Sequence, residues 1–202
     1  MYGAYRRYSL AVWELKGDPA TWPAQLEAYY REAPVFALLG GIVTGEWAPI
    51  HAFCERHQVP CMFPITDQPV ISETDWYTLY FDKGAYQDGD AAARFLRRVD
   101  GTARDAPVVQ VLRDSPAGHD AAAGFAAARS SMALPAPTDV VLAADQPPDR
   151  AFWTRLVADH PGAVLALWLE PGDLAEVAAL AAAEPRPPLA FASAGLLGNE
   201  LA

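Results

Sequence analysis

The stretch VFALLGGIVTGEWAPIHAFCERHQVPCMF, Val35 to Phe63, decides the fold. An uninterrupted apolar run, Val35 to Leu39, stops at Gly40 and Gly41; a segment from about Glu46 to His57 has helical character; a second apolar run, Val59 to Phe63, follows it. A strand covered on both faces reads as a continuous apolar run instead of an alternation. Two such runs joined by a helix make a βαβ unit, the building block of a parallel sheet.

The same rhythm extends in both directions. Upstream, Ser9 to Leu15 reads as a strand ended by Gly17, and Asp18 caps a helix with an early Pro19 and with Trp22, Leu26, Tyr29 and Tyr30 at helical spacing. Downstream, Pro64 to Thr74 is a polar loop without either period, Trp76 to Phe81 alternates like a strand, and Tyr86 to Arg98 is a helix carrying Ala92, Phe95 and Val99 on one face. The tract VDGTARDAP, Val99 to Pro107, is rich in turn formers and is expected to carry the crossing between two lobes. Beyond it the alternation restarts: strands at Val108 to Leu112, Asp139 to Leu142, Val164 to Leu169 and Leu189 to Ala192, with helices at Gly118 to Ser131, Arg150 to His160 and Asp173 to Ala183 between them. The expectation is an α/β protein of two Rossmann-like lobes, parallel sheets flanked by helices, spanning 1–103 and 104–202. PAPTD and EPRPP serve as stiff connectors, and no fixed-period repeat accompanies the alternation.

Composition narrows the function classes. The chain of 202 residues has 15 Lys and Arg against 25 Asp and Glu, a net charge of -10. That charge repels phosphate backbones and anionic lipid, so nucleic acid is not an expected partner. No stretch approaches the roughly 20 apolar residues of a membrane span, and MYGAYRRYSL lacks the apolar core of a secretory signal. Insertion into a membrane is not expected.

Several constellations contain reactive residue types. His51, Cys54, His57 and Cys61 are all ligands that zinc or copper accepts. On a helix, however, His51 and His57 stand about 120° apart while His51 and Cys54 stand about 60° apart, so one ion does not gather all three; no metal and no cofactor is expected. Cys54 and Cys61 are either buried thiols or a disulfide. Ser115, His119 and Asp120 supply the types of a catalytic triad without its geometry. Neither a nucleophile elbow nor a phosphate-binding loop is present, and the expectation is a non-catalytic protein.

From Val35 to Leu96 the chain resembles the first lobe of the Leu/Ile/Val-type periplasmic binding proteins, the substrate-binding proteins of branched-chain amino-acid ABC transporters. The resemblance rests on ordered features: Leu38-Leu39-Gly40 ending a strand, Thr44-Gly45 in a turn, Val59-Pro60 opening a strand, the polar loop Pro64 to Pro69, the aromatic Tyr80-Phe81, and Asp88-Gly89 near a helix start. WELKGDPATWPAQLEAYY resembles the family's second strand and helix, and VVQVLRDSPAGHDAAAGFAAA the opening of its second lobe. The resemblance implies a type I periplasmic binding protein fold incomplete at both ends, a small-molecule ligand such as an amino acid in an interlobe cleft, hinge closure near Val99 to Pro107, a permease as partner, and a periplasmic or extracytoplasmic location. The same fold also serves cytosolic ligand-sensing regulators and, where the ligand has been lost, interaction modules.

Candidate contacts follow from the resemblance. The family's Ser or Thr at the position of Thr44 holds the ligand carboxylate, with Gly45 beside it and helix N–H groups starting near Glu46 adding donors; the same Thr44 also reads as a simple helix cap. Ile65, Thr66 and Asp67 match the segment that holds the ligand ammonium, and Asp67 also reads as a turn residue. Trp47, Tyr86 and His119 are candidate cleft linings. Two departures bear on specificity: Ala117 stands where the family often has Tyr before Gly118, and Asp82-Lys83 where many members have Arg-Thr.

Overall fold

The computed structural model describes residues 7–72, 74–99, 105–143, 145–146, 148–182, 186–193 and 196. The chain divides into two compact units, Met1–Phe81 and Asp82–Ala202.

In the first unit Asp18 accepts the Ala20 N–H at 2.8 Å and starts a 3-10 turn, Pro19–Thr21, that runs into α1, Trp22–Glu32. The next elements are β1 (Leu38–Leu39), β2 (Ile42–Glu46), α2 (Ala48–His57), β3 (Cys61–Met62), β4 (Ile65–Gln68) and β5 (Thr78–Leu79). Strands β1, β3 and β5 form a parallel sheet in that order, with Leu38 opposite Cys61 and Cys61 opposite Thr78. Helices α1 and α2 bury Trp22, Leu26, Ile50, Phe53 and Cys54 in one core with Cys61, and Leu38 packs against it. The helices are also tied by Glu27, which accepts from Arg56 Nη1 at 3.0 Å and pairs with His57 Nε2 at 2.8 Å.

The run Val35 to Leu39, read as a strand covered on both faces, is a strand only at Leu38–Leu39, with Phe36 and Leu39 exposed at 76% and 67%, and two further expectations fail in this unit. Ser9 to Leu15 is not a strand: residues 7–16 have no regular structure, and Leu10 and Val12 are exposed. A strand is made by its neighbours, and this segment is held by side chains instead. Trp13 stacks on Tyr29 at 5.5 Å, Tyr29 Oη donates to Glu14 O, and Gln25 bonds Lys16 through both its N–H and its C=O. The second failure concerns β2 and β4, placed where a turn leading into a helix and an aperiodic loop were expected. They pair in parallel as a separate ribbon, Ile42 with Ile65 and Val43 with Thr66, before the register slips ahead of Glu46 and Gln68.

The second unit begins with α3 (Ala85–Leu96), followed by β6 (Val108–Arg113), α4 (Pro116–Ser131), β7 (Thr138–Leu142), α5 (Arg150–Asp159), β8 (Val164–Trp168), a 3-10 turn Pro171–Asp173, α6 (Leu174–Val177) extended as 3-10 over Ala178–Ala182, and β9 (Ala190–Ala192). The parallel sheet has the order β7-β6-β8-β9. Its central strands β6 and β8 are buried along their whole length, as their apolar runs predict. Residues alternate between two cores: Val109, Val111, Leu165 and Leu167 pack with Trp153 and Leu156 of α5, while Val108, Leu112, Val164 and Ala166 pack with Phe125 of α4 and Ala93 and Leu96 of α3. Gln110, fully buried in this sheet, donates to Asp139 Oδ1 and Ala122 O and accepts from Trp168 Nε1, so no polar atom of its side chain is left unpaired.

The boundary falls between Phe81 and Asp82 rather than at 103, because α3 is bound tightly to α4. A Cβ at Gly89 would collide with Ala121 O, and one at Gly124 with Tyr86 O; the two helices meet backbone to backbone through these glycines. The expected crossing at Val99 to Pro107 includes residues 100–104, which lie outside the described residues.

Candidate functional site

Parallel sheets bind ligands at the carboxyl ends of their strands. In the first unit those ends are Gly40-Gly41 after β1, Phe63-Pro64 after β3 and Tyr80-Phe81 after β5, and the β2–β4 ribbon emerges from the first two. Most residues chosen from the sequence sit on or beside this ribbon.

Thr44 lies within β2, and its side chain, like that of Asp67 in β4, is outside the described residues. Helix α2 starts at Ala48, with Trp47 in the capping position, so Thr44 stands three residues too early to cap it. The helix end is also poor in free donors: Pro49 has no N–H, and Ile50 and His51 both donate back to Trp47 O, at 3.1 and 3.0 Å. Gly45, at φ 103°, forms the bulge where the ribbon slips register. Thr66 Oγ1 donates to Gly45 O at 2.5 Å and accepts from Gln68 N at 3.1 Å. Its hydroxyl is committed to holding that bulge. Ile65 donates its N–H to Gly41 O at 2.8 Å and exposes 62% of its surface.

Trp47, a candidate cleft lining, is 4% exposed and packs in the core of the first unit. Its indole lies against Gly41, where φ is 118° and an added Cβ would land 2.5 Å from the ring. The indole N–H has no hydrogen-bond partner, and the Cys61 thiol is held below its ordinary value chiefly by the neighbouring Cys54, against burial. Cys54 is pushed the other way, by its contact with Cys61 and by burial, and both are free thiols.

Tyr86 and His119 belong to the second unit. Tyr86, half-buried in the first turn of α3, lies 5.9 Å beneath Lys83 Nζ. His119 is exposed in the first turn of α4 and pairs with Asp114 Oδ1 at 2.8 Å. At the carboxyl end of β6 the buried Arg113 donates through Nε to Asp173 Oδ2 at 2.9 Å and through Nη2 to Asp173 Oδ1, and its Nη1 reaches Ala143 O and Gln146 O at 2.5 and 2.8 Å. One guanidinium thereby joins the segments that follow β6, β7 and β8.

Two clusters were missed from the sequence. In the first, His51 bonds Tyr80 Oη through Nδ1 at 2.9 Å and Asp75 Oδ2 through Nε2 at 2.8 Å, and Tyr80 Oη accepts from Val70 N at 3.2 Å. This fixes both ends of the 70–75 loop to α2. The His51 bond, followed by one from Ser72, holds Asp75 below the usual carboxylate range, and burial pushes Tyr80 up. His51 and His57 are thus spent on carboxylates on different sides of α2, and no cluster of three or more metal-binding side chains forms among the described residues. In the second cluster, Phe63 and Phe81 stack with centroids 4.4 Å apart and planes 21° apart, and both are exposed, at 37% and 76%. Phe63 is held at φ 60°, a left-handed conformation that costs a non-glycine residue about 1–2 kcal/mol. It also precedes Pro64, where the proline ring disfavours everything but extended backbone.

Parallel α/β units of this construction define the fold of the type I periplasmic binding proteins, and solved structures share it. Over 85% of this chain, a protein of Silicibacter pomeroyi described as a branched-chain amino acid ABC transporter superposes with a TM-score of 0.59 at 12% identity, covering 46% of that chain. An ABC transporter solute-binding protein of R. palustris, solved in complex with benzoate, superposes over 85% of this chain with a TM-score of 0.54 at 14% identity, covering 47% of its own. The chain therefore spans a little under half the length of these proteins. No family model and no curated protein matches the sequence. Among the described residues no helix is long and apolar enough to cross a membrane.

Proposed function

We propose that this chain is part of the solute-binding component of an ABC-type uptake system, that it takes a small organic solute such as an amino acid or related compound, and that it performs no chemistry on it. The observation that carries the reading is the shared fold: the two solved structures are an amino-acid transporter protein and a solute-binding protein holding benzoate. In this reading the solute meets the first unit at the carboxyl ends of β1, β3 and β5. Thr44 and Asp67 supply polar contacts there, and Gly45 and Ile65 shape the floor; in the second unit, Tyr86 and His119 at the starts of α3 and α4 are that unit's own candidate contacts. A permease receives the loaded protein on the extracytoplasmic side of a membrane.

A thermal-shift panel of amino acids, amides, short carboxylic acids and alcohols on the full 202-residue chain tests this. A true ligand at a hundred times its dissociation constant stabilises the folded state by about 2.7 kcal/mol, a shift of several degrees. Uniform lack of response across the panel would overturn the reading. With a hit in hand, Thr44→Ala and Asp67→Ala should each weaken binding, and unchanged affinity in both would remove the site assignment while leaving the function.

A further inference from the structure

The geometry points to a flat aromatic ring as the group that the first unit recognises, held on the Phe63–Phe81 pair. This inference rests on the solute-binding reading and specifies its ligand class. Three observations carry it. The pair stands at the carboxyl ends of β3 and β5, where a parallel sheet receives its ligand, and not on a helix face. The rings are nearly parallel and solvent-exposed, so that a third ring can stack or meet them edge-on, an arrangement that gains beyond simple area burial. Finally, Phe63 keeps a large ring in a left-handed conformation that glycine would adopt freely. The ladder bond from Phe63 N to Leu79 O at 2.8 Å fixes the backbone there, and strain of this kind concentrates where a side chain must be aimed. The register partners Ile42 and Ile65, on the ribbon that leaves β1 and β3, are exposed and apolar as well.

Benzoate and cyclohexanecarboxylate carry the same charge and similar bulk, and differ in aromaticity. Calorimetric titration of the full chain with each, and with leucine, separates the possibilities. The expected result is that benzoate binds about three- to ten-fold tighter than its saturated analogue, and that Phe81→Ala and Phe63→Gly each erase the difference. Phe63→Gly should do so with an unchanged or higher melting temperature, since it relieves the left-handed strain; a ring retained for packing alone would give a lower one. Equal affinity for the two acids, or discrimination that survives both substitutions, overturns the aromatic platform. If leucine or the saturated acid binds and benzoate binds no tighter, the solute-binding reading stands and the platform falls. If none of the three binds and the wider panel is also silent, both fall together. A concentration-dependent dimer that Phe81→Ala dissolves would assign the exposed rings to self-association and overturn the platform.

Discussion

Replacing Asp173 with alanine tests whether the Arg113 cluster holds the carboxyl edge of the second sheet together. Arg113 and Asp173 expose only 7% and 5% of their surfaces. Alanine removes both bonds between the two side chains and the acceptor for Glu170 N at 3.1 Å. The guanidinium keeps Ala143 O and Gln146 O but loses its counter-charge, and an uncompensated buried charge costs about 3–5 kcal/mol. Arg113→Met should cost about as much, because it strands the Asp173 carboxylate and frees two carbonyls. The double change Arg113→Met with Asp173→Leu removes both charges, so it should be less damaging than either single change, a strongly non-additive cycle. Amide hydrogen exchange of peptides covering β6 and β8 reports the opening of this unit alone, and each single variant should lose roughly two to four decades of protection. Additive losses in the double variant, or singles within the noise of wild type, would refute the reasoning. Acid adds an independent check. Burial raises the Asp173 pKa, but the bonds from Arg113 and Glu170 N outweigh it and leave it below the usual value. A depressed carboxylate contributes stability that is complete above its unfolded pKa of about 3.9 and disappears as pH falls through its folded pKa. Protection in β6 should therefore drop below pH 4 in wild type, and Asp173→Ala should lack that component.

Gly124→Ala should destabilise the second unit by about 2 kcal/mol: the new Cβ meets Tyr86 O, a clash no rotamer relieves, and overpacking at about 1–3 kcal/mol exceeds the roughly 1 kcal/mol that alanine adds to helix propensity. A higher melting temperature would show that α3 can back away. Gln58 ends α2 at φ 54°, ψ 38°, so Gln58→Gly should add about 0.5–1 kcal/mol in denaturant unfolding; a loss would mean that its side chain holds a contact. Glu27 has its pKa lowered, first by the His57 bond, against burial, so its contribution is present above an unfolded pKa of about 4.3 and is lost as pH falls through the folded value. Unfolding midpoints of wild type and Glu27→Gln should converge toward pH 3, and parallel curves would remove the pair from the account.

The second unit was legible almost element by element because its strands are decided by burial. Val108–Arg113 and Val164–Trp168 are covered on both faces, so their apolar runs are unbroken, and the helices between them carry their own caps: Ser115 accepts from Gly118 N and Asp149 from Phe152 N. In the first unit that condition does not hold: β1, β3 and β5 are two residues long, and Leu39 and Leu79 are exposed, so the apolar runs place the strands there without giving their length. Ile65–Gln68 has the composition of a loop and becomes a strand because Gly41 O accepts from Ile65 N, Gly45 O accepts from Thr66 Oγ1 and Trp47 N donates to Gln68 O, along and beside β2. Ser9–Leu15 has the composition of a strand and finds no ladder to join among the described residues. In both cases pairing, a property of distant chain, overrides local preference. The division of the compact units at Phe81 and Asp82 differs from the expected one at 103 for a related reason: the turn formers at 99–107 are plain in the sequence, whereas the contact joining α3 to α4 depends on two glycines thirty-five positions apart, Gly89 and Gly124.

The candidate site was located by topology, and its chemistry was hidden by what neighbouring groups consume. Thr66 looks like a ligand donor until its hydroxyl is found to support the Gly45 bulge; Trp47 looks like a cleft wall until Gly41 is seen to make room for it in the core. His51 looks like a metal ligand until both ring nitrogens are engaged, by Tyr80 and Asp75. Each reassignment turns a polar or aromatic group to the support of the first unit's own structure. Among the described residues, Leu39, Ile42, Phe63, Ile65, Leu79 and Phe81 are exposed at the carboxyl edge of the first sheet. One local signal did point to this: Phe63 stands before Pro64, where extended backbone is the default, yet the chain must turn at that residue to leave β3 and enter β4 in register with β2. Departure from the default at a bulky residue has to be compensated by contacts, and stacking on Phe81 is one of them. A ligand ring that covers the two phenyl rings would supply another.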